Sequence, residues 1–170
     1  MISKKKYTET EIESFMELLL SRDGATREMA RKSLVSVGKP AVISLTRALQ
    51  NSGSDQFRWE AAKTLGEIGD SGGIPVLVSA LEDRNHDVAW FAAEALKKFR
   101  KIAWLPLLHA LVKKGSDSVR LRQGVHHVLR DQNEVGFGDL LKSLMKALES
   151  GSVPESSAVA ANGILKRMKG

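Results

Sequence analysis

The sequence predicts an all-α protein whose helices pair into repeated hairpins. Its 170 residues include only four Pro, one Tyr and no Cys, which favours helix over sheet and excludes a disulfide scaffold. Apolar residues make up 42% of the chain and recur at steps of three and four, as in amphipathic helices with one buried face. One such segment is repeated along the chain, and a repeat of this kind decides the architecture.

The repeat is clearest in two segments that start 31 residues apart. Residues 27–38 read REMARKSLVSVG and residues 58–69 read RWEAAKTLGEIG. Small Ala residues at equivalent positions predict close helix approach, and the Leu residues predict a filled seam between helices. The recurring positions are Arg27, Ala30, Leu34 and Gly38, then Arg58, Ala61, Leu65 and Gly69, with weaker copies at Ala92 and Leu96, Leu129, and Ala161 and Leu165.

A second apolar block precedes each repeated segment, for example VISLTRAL and PVLVSAL, so ten helices are predicted. Thr8 with Glu11 and Thr10 with Glu13 both fit a capping box, and Ser54, Asp87 and Asp117 are predicted N-caps. The predicted helices span 9–21, 25–37, 40–51, 55–68, 73–83, 86–99, 102–114, 118–131, 138–150 and 154–168.

The segment FRWEAAKTLGEIGD followed by IPVLVSAL resembles the HEAT family, and within it the group named after phycobilin lyase subunits. This resemblance covers essentially the whole chain and implies a right-handed α-solenoid of about five HEAT-like helical hairpins. Ala89 and Ala158 stand where the family pattern has Arg, which interrupts any arginine ladder between repeats. A single domain over 1–170 is expected, with repeats near 9–37, 40–68, 73–99, 102–131 and 138–168.

The resemblance also implies that the second helix of each hairpin lines the concave side. A helical wheel agrees for Trp59, which lies about 200° around the helix from Ala61 and so points away from the seam. Trp90 stands in the same relation to Ala92, so two indoles are expected on one side, roughly 10 Å apart. The alternative is that both rings fold over neighbouring helices. The expected partner-binding residues are Met29, Trp59, Glu60, Lys63, Trp90, Phe91, Glu94 and His127.

Trp104 is predicted to behave differently from Trp59 and Trp90. It occupies the position that Val42 and Ile74 fill in the sister helices. The sequence therefore places it in the core.

The net charge of +6 admits nucleic acid as an alternative partner. Its Lys and Arg residues cluster where helices end, however, which the helix dipole favours without any ligand. They are Lys97, Lys98, Arg100, Lys101, Lys113, Lys114, Lys166, Arg167 and Lys169. The expected concave residues mix Glu with Lys, so a protein partner is preferred to nucleic acid.

No enzyme motif stands out. His126 and His127 are adjacent on a helix and diverge by about 100°, which does not suit one metal, so no metal and no cofactor is expected. Trp90 and Glu94 lie one turn apart, similar to the aromatic and carboxylate of HEAT-like alkylpurine DNA glycosylases, and this is the least favoured alternative. The favoured function is a non-catalytic interaction module or scaffold. A lyase-subunit or chaperone-like factor, which the family group suggests, would also bind protein.

The N-terminus is basic but lacks an apolar stretch of signal-peptide length, which predicts a cytoplasmic protein. The longest strongly apolar run, residues 102–108, is much shorter than the roughly 20 residues of a membrane-spanning helix. No membrane association is therefore expected.

Overall fold

A computed structural model describes residues 7–115, 117–149 and 153–169. Over these residues helices are the only regular secondary structure, with ten α-helices and no strand. Three short 3₁₀ turns at Lys39–Ala41, Ser71–Gly73 and Arg100–Ala103 lead into helices. Every predicted helix is present within three residues of its expected limits. The helices are α1 (Glu9–Leu18), α2 (Gly24–Val37), α3 (Val42–Asn51), α4 (Asp55–Ile68), α5 (Ile74–Ala80), α6 (His86–Phe99), α7 (Trp104–Lys114), α8 (Val119–Leu129), α9 (Gly138–Leu148) and α10 (Pro154–Lys169).

Helix ends follow the predicted chemistry with three corrections. Of the two candidate capping boxes, Thr8 and Glu11 form the one at the start of α1, whereas Thr10 lies inside the helix; Ser54 caps α4. For α6 the N-cap is Asn85 rather than Asp87, because the Asn85 side chain already accepts from the Asp87 and Val88 amides. For α8 it is Ser118 rather than Asp117, with the Ser118 hydroxyl accepting from the Leu121 amide.

The repeated apolar positions form one continuous core. The repeated Leu residues are at most 5% exposed and the repeated Ala residues at most 1%. A single hairpin has too little interior to fold alone, so this shared seam is what stabilises each repeat against its neighbours. The residues concerned are Leu34, Leu65, Leu96, Leu129 and Leu165, with Ala30, Ala61, Ala92 and Ala161.

The first eight helices form two rows. The second-helix row is α2, α4, α6 and α8, and the first-helix row is α1, α3, α5 and α7. Within the second-helix row α4 and α6 pack much more extensively than α3 and α5 do in the other row. A stack curves toward its more closely packed row, which favours the second-helix row as the concave side.

Gly66 explains the close packing of α4 on α6. A Cβ at this position would lie 2.5 Å from the Ala95 Cβ and 2.8 Å from the Ala95 Cα. Any larger residue would therefore push the two helices apart. The contact is effectively backbone against backbone.

The last hairpin departs from the regular solenoid of five hairpins that the sequence predicts. Helix α10 packs on α7 and α9, and α9 lies against α8, so the two helices of this hairpin have exchanged rows. The connection over 130–137 is long enough to allow the exchange, and its Phe137 packs edge-on against Trp104 at the start of α7, with ring centroids 5.6 Å apart. The surface of the second-helix row therefore ends at α8.

Candidate functional site

Aromatic side chains from three second helices meet on one surface. Trp59 of α4 stacks on Phe91 of α6, with ring centroids 5.1 Å apart and an interplanar angle of 22°. Phe91 meets Trp90 edge-on at 5.0 Å, and Trp90 lies 6.2 Å from the His127 ring of α8. We call Trp59, Phe91, Trp90 and His127 the aromatic cluster.

Two cations flank the aromatic cluster. The Arg27 guanidinium carbon lies 5.8 Å from the Trp59 ring centroid, and Lys63 Nζ lies 5.6 Å from that of Phe91. Both distances are within the range of cation–π attraction. The cations lie on α2 and α4, so the flanking charges and the rings together involve all four helices of the row.

The aromatic cluster is partly exposed, which bears on the two alternatives for the tryptophans. Trp90 is 43% exposed, whereas Trp59 and Phe91 are half-buried and pack against the core. Trp59 therefore folds partly over the neighbouring helix, whereas Trp90 stays more exposed beside His127 of α8. Phe91 lies between the two indoles, a relation the sequence reasoning had not foreseen.

Met29 and Glu60 lie at opposite extremes of exposure. Met29 is 68% exposed on α2. The expectation that Glu60 points outward is wrong, since this residue is only 1% exposed. Its carboxylate accepts from Arg27 Nε at 2.9 Å and from Arg31 Nη1 at 3.0 Å. Two arginines of α2 need a counter-charge at this buried contact, and Glu60 supplies it.

Glu94 and His127 belong to an ion-pair network between α6 and α8. His127 Nε2 lies 2.6 Å from Glu94 Oε1, and Lys97 Nζ lies 3.2 Å from both Glu94 and Asp131 carboxylate oxygens. Partial burial raises the pKa of Glu94, but hydrogen bonds from His127 and Lys97 together outweigh it and leave the pKa below its ordinary value of 4.5. Glu94 is thus an ionised carboxylate that links two repeats.

The lowered pKa of Glu94 predicts a pH effect on stability. Its contribution is present above pH 4.5 and is lost as pH falls through the lower folded-state pKa. Glu94→Gln should therefore reduce the unfolding free energy at pH 7, by at most about 1 kcal/mol because the side chain is partly exposed, and reduce it less at pH 3. Urea unfolding at both pH values measures this.

Glu13→Gln, on α1, is the control for that pH effect. A loss for Glu94→Gln that is equally large at both pH values would contradict the prediction. It would instead point to side-chain packing as the cause.

Trp104 lies in the core as predicted, at 1% exposed.

Arg27 and Lys97 contact the predicted site residues but were not predicted themselves. The Arg27 position recurs within the chain as Arg58. The contact of Arg27 with Trp59, however, depends on how α2 and α4 pack.

The arrangement defines the class of the protein as a stack of helical hairpins that presents a partly exposed aromatic surface. A family profile described as HEAT repeats matches residues 44–128, which is 85 of the 170 residues. The chain belongs to the HEAT-repeat family. The match includes every residue of the aromatic cluster.

Comparison with curated proteins gave no match. Among the helices of the described residues, none has the length and apolarity needed to cross a membrane.

Proposed function

We propose that this chain is a non-catalytic scaffold that binds a protein partner on the concave side of its second-helix row. HEAT repeats are commonly protein-interaction scaffolds. The observation that carries the proposal is the aromatic cluster, in which Trp90 is large, apolar and 43% exposed beside two supporting rings. Tryptophans of this kind dominate the energetics of protein interfaces.

The charges on the molecule support a protein partner over nucleic acid. Four of the basic residues that could have met phosphate already pair with carboxylates, at 3.2 Å or less. They are Lys97, Lys101, Lys114 and Arg167, whose partners include Glu94, Glu134, Glu82 and Asp139. A nucleic acid would have to displace these partners, which lowers the gain from phosphate contacts.

The ion-pair network around Glu94 makes the DNA glycosylase alternative less favoured. Glu94, the carboxylate beside Trp90, is held by His127 and Lys97 as a bridge between helices. This supports a structural role for Glu94 in an interaction surface. A lyase-subunit or chaperone-like function is compatible with the proposal, because either would use the same surface to bind protein.

Replacing Trp90 should weaken partner binding without unfolding the protein. Trp90→Ala should cost no more than about 1 kcal/mol of unfolding free energy because the side chain is substantially exposed. It should weaken partner binding by about 2 kcal/mol, or roughly 30-fold. Affinity capture from the native host with wild-type and variant baits identifies candidates, and titration calorimetry with the purified partner measures the change.

Leu105→Ala is the matched control for Trp90→Ala. Leu105 lies on α7 in the first-helix row and is 44% exposed, nearly the same as Trp90. A genuine partner is retained by Leu105→Ala and lost by Trp90→Ala. Partners that both variants retain, or salt-sensitive binding of the chain to labelled duplex DNA at submicromolar concentration, would count against the proposal.

A further inference from the structure

A cleft of about 510 Å³ opens beside the aromatic cluster, between the first turns of α6 and α8. Trp90 and His127 form one side of it. The other lining side chains are mostly polar or basic, over a floor that includes Leu81 and Ala93. The polar and charged ones are Asp83, Arg84, His86, Arg120 and Gln123, and the small residue Ala89 lies among them.

The cleft lies where the other repeats carry an arginine. In three repeats an Arg in the first turn of the second helix donates to a carbonyl at the end of the preceding helix. These contacts are Arg27 to Ser21 at 2.9 Å, Arg58 to Ser52 at 2.9 Å, and Arg122 to Gly115. The third repeat has Ala89 instead, and among the described residues the equivalent Asp83 carbonyl accepts just one side-chain bond, a long one of 3.5 Å from Arg120 of the next repeat. The volume of a missing arginine side chain is therefore left open, and we call it the arginine-gap cleft.

The charges around the arginine-gap cleft favour an anion. Arg84 and Arg120 lie at its wall, and Arg84 has a side chain 74% exposed. The one carboxylate among the lining residues is Asp83, and both of its oxygens accept from Arg58 at 2.9 Å. Its charge is thus already balanced. Within the described part of the chain, Arg84 has only a distant carboxylate, Asp55 at 3.9 Å, and Arg120 donates only a long bond to the neutral Asp83 carbonyl, so both guanidinium groups can still attract an anion. A guanidinium guest, which the missing arginine would at first suggest, would meet like charge.

The apolar wall and the surroundings narrow the kind of anion. Trp90 offers an aromatic face beside the cations, which suits a short chain of methylene groups ending in a carboxylate. A continuous polyanion would next meet the carboxylate of Glu94, beyond Trp90 and His127. The site therefore fits one isolated negative charge.

We propose that the arginine-gap cleft binds the carboxylate of an acidic side chain on a peptide segment of the protein partner, with its methylene groups against Trp90. This inference rests on the proposed function, because the cleft and the aromatic cluster share Trp90 and His127. It adds the chemistry of the partner, which is an acidic residue next to the apolar residue that meets the cluster.

The proposal can be tested with a small probe, without the partner. N-acetyl-glutamate N-methylamide is titrated into the ¹⁵N-labelled protein, and the three indole N–H signals are assigned with Trp→Phe variants. The Trp90 signal should move with half-saturation at about 1 to 10 mM, the affinity expected of a single small group. The glutamine and arginine analogues of the probe should leave it unmoved.

Variants of the lining residues separate this site from general charge effects. Arg120→Gln should weaken the probe by at least about fivefold, because it removes one of two cations. Arg130→Gln, the same change just past the other end of α8, should leave the affinity unchanged. Ala89→Met should abolish binding by filling the gap with a neutral side chain.

Four results would overturn the proposal. They are a Trp90 signal that does not move, an equal response to the arginine analogue, no effect of Arg120→Gln, and inorganic phosphate acting at a tenfold lower concentration than the glutamate probe. Partner capture that needs Trp90 but not Arg120 would refute the cleft alone. A cleft that binds the glutamate probe in a chain whose captures never depend on Trp90 would refute the proposed function alone.

Discussion

Arg58→Ala is expected to reduce the free energy of unfolding by about 3 to 5 kcal/mol, the cost of breaking a buried ion pair from one side. Arg58 is 4% exposed, and it donates to Asp83 through Nε and Nη2, to Asp55 at 2.6 Å and to the Ser52 carbonyl. The hydrogen bond to Asp83 is the main cause of the raised pKa of Arg58, so the guanidinium stays charged at every accessible pH. Truncation would leave the Asp83 carboxylate without its counter-ion at the joint between the second and third repeats. Urea unfolding at pH 7 measures the loss.

Arg84→Ala is the control for Arg58. Arg84 follows Asp83 directly, but its side chain is 74% exposed and its nearest approach to Asp55 is 3.9 Å. Its replacement should change stability by no more than about 0.5 kcal/mol. Equal effects of the two variants would show that Arg58 acts only as a surface charge. Arg58→Lys should fall between them, because an ammonium keeps the charge but cannot form the two-pronged contact.

Trp104→Ala should cost a similar amount, about 3 to 5 kcal/mol, through the cavity left by a large core side chain. Trp104 is 1% exposed and contacts Phe137, so the cavity would open between the fourth repeat and the exchanged last hairpin. Thermal and urea unfolding of the purified variant provide the measurement. Trp90→Ala is the opposite case, since it should lose binding and keep the fold.

Trp104→Phe distinguishes ring packing from hydrogen bonding. The Trp104 Nε1–H is buried without a hydrogen-bond partner among the described residues. Phenylalanine therefore removes an unpaired polar group together with part of the ring, and should lose less than half as much stability as alanine. A phenylalanine variant as unstable as the alanine variant would contradict this account of the site.

Much of the fold was predictable from the sequence because the same pattern of buried residues recurs in several repeats. Ala61 and Leu65 occupy positions that recur in other repeats, so the core positions assigned in one repeat support those assigned in the others. The exchange of rows by α9 and α10 was not accessible, because it depends on the length of the preceding connection and on Phe137 meeting Trp104. Both helices have an ordinary amphipathic pattern, which specifies a buried face but not the neighbour that covers it.

The candidate site was predictable at the level of single helices and less so between them. The direction of Trp90 follows from its angle to Ala92 on one helix. The burial of Glu60 does not, because a carboxylate is placed inside only where another helix brings arginines to it, here Arg27 and Arg31. The stacking of Trp59 on Phe91 likewise depends on the distance between α4 and α6.

That distance is fixed by Gly66, and the fixed distance affects the cost of binding. Neighbouring hairpins in a helical stack can pivot on each other, and a partner that touches two of them normally has to stop that movement when it binds. Here the backbones of α4 and α6 are already in contact at Gly66 and Ala95, so this joint has little freedom left to lose. The rings on either side of it are held in register before a partner arrives, and less conformational entropy is given up on association. A substitution at Gly66 would therefore weaken partner binding at the aromatic cluster, although Gly66 itself lies inside the stack.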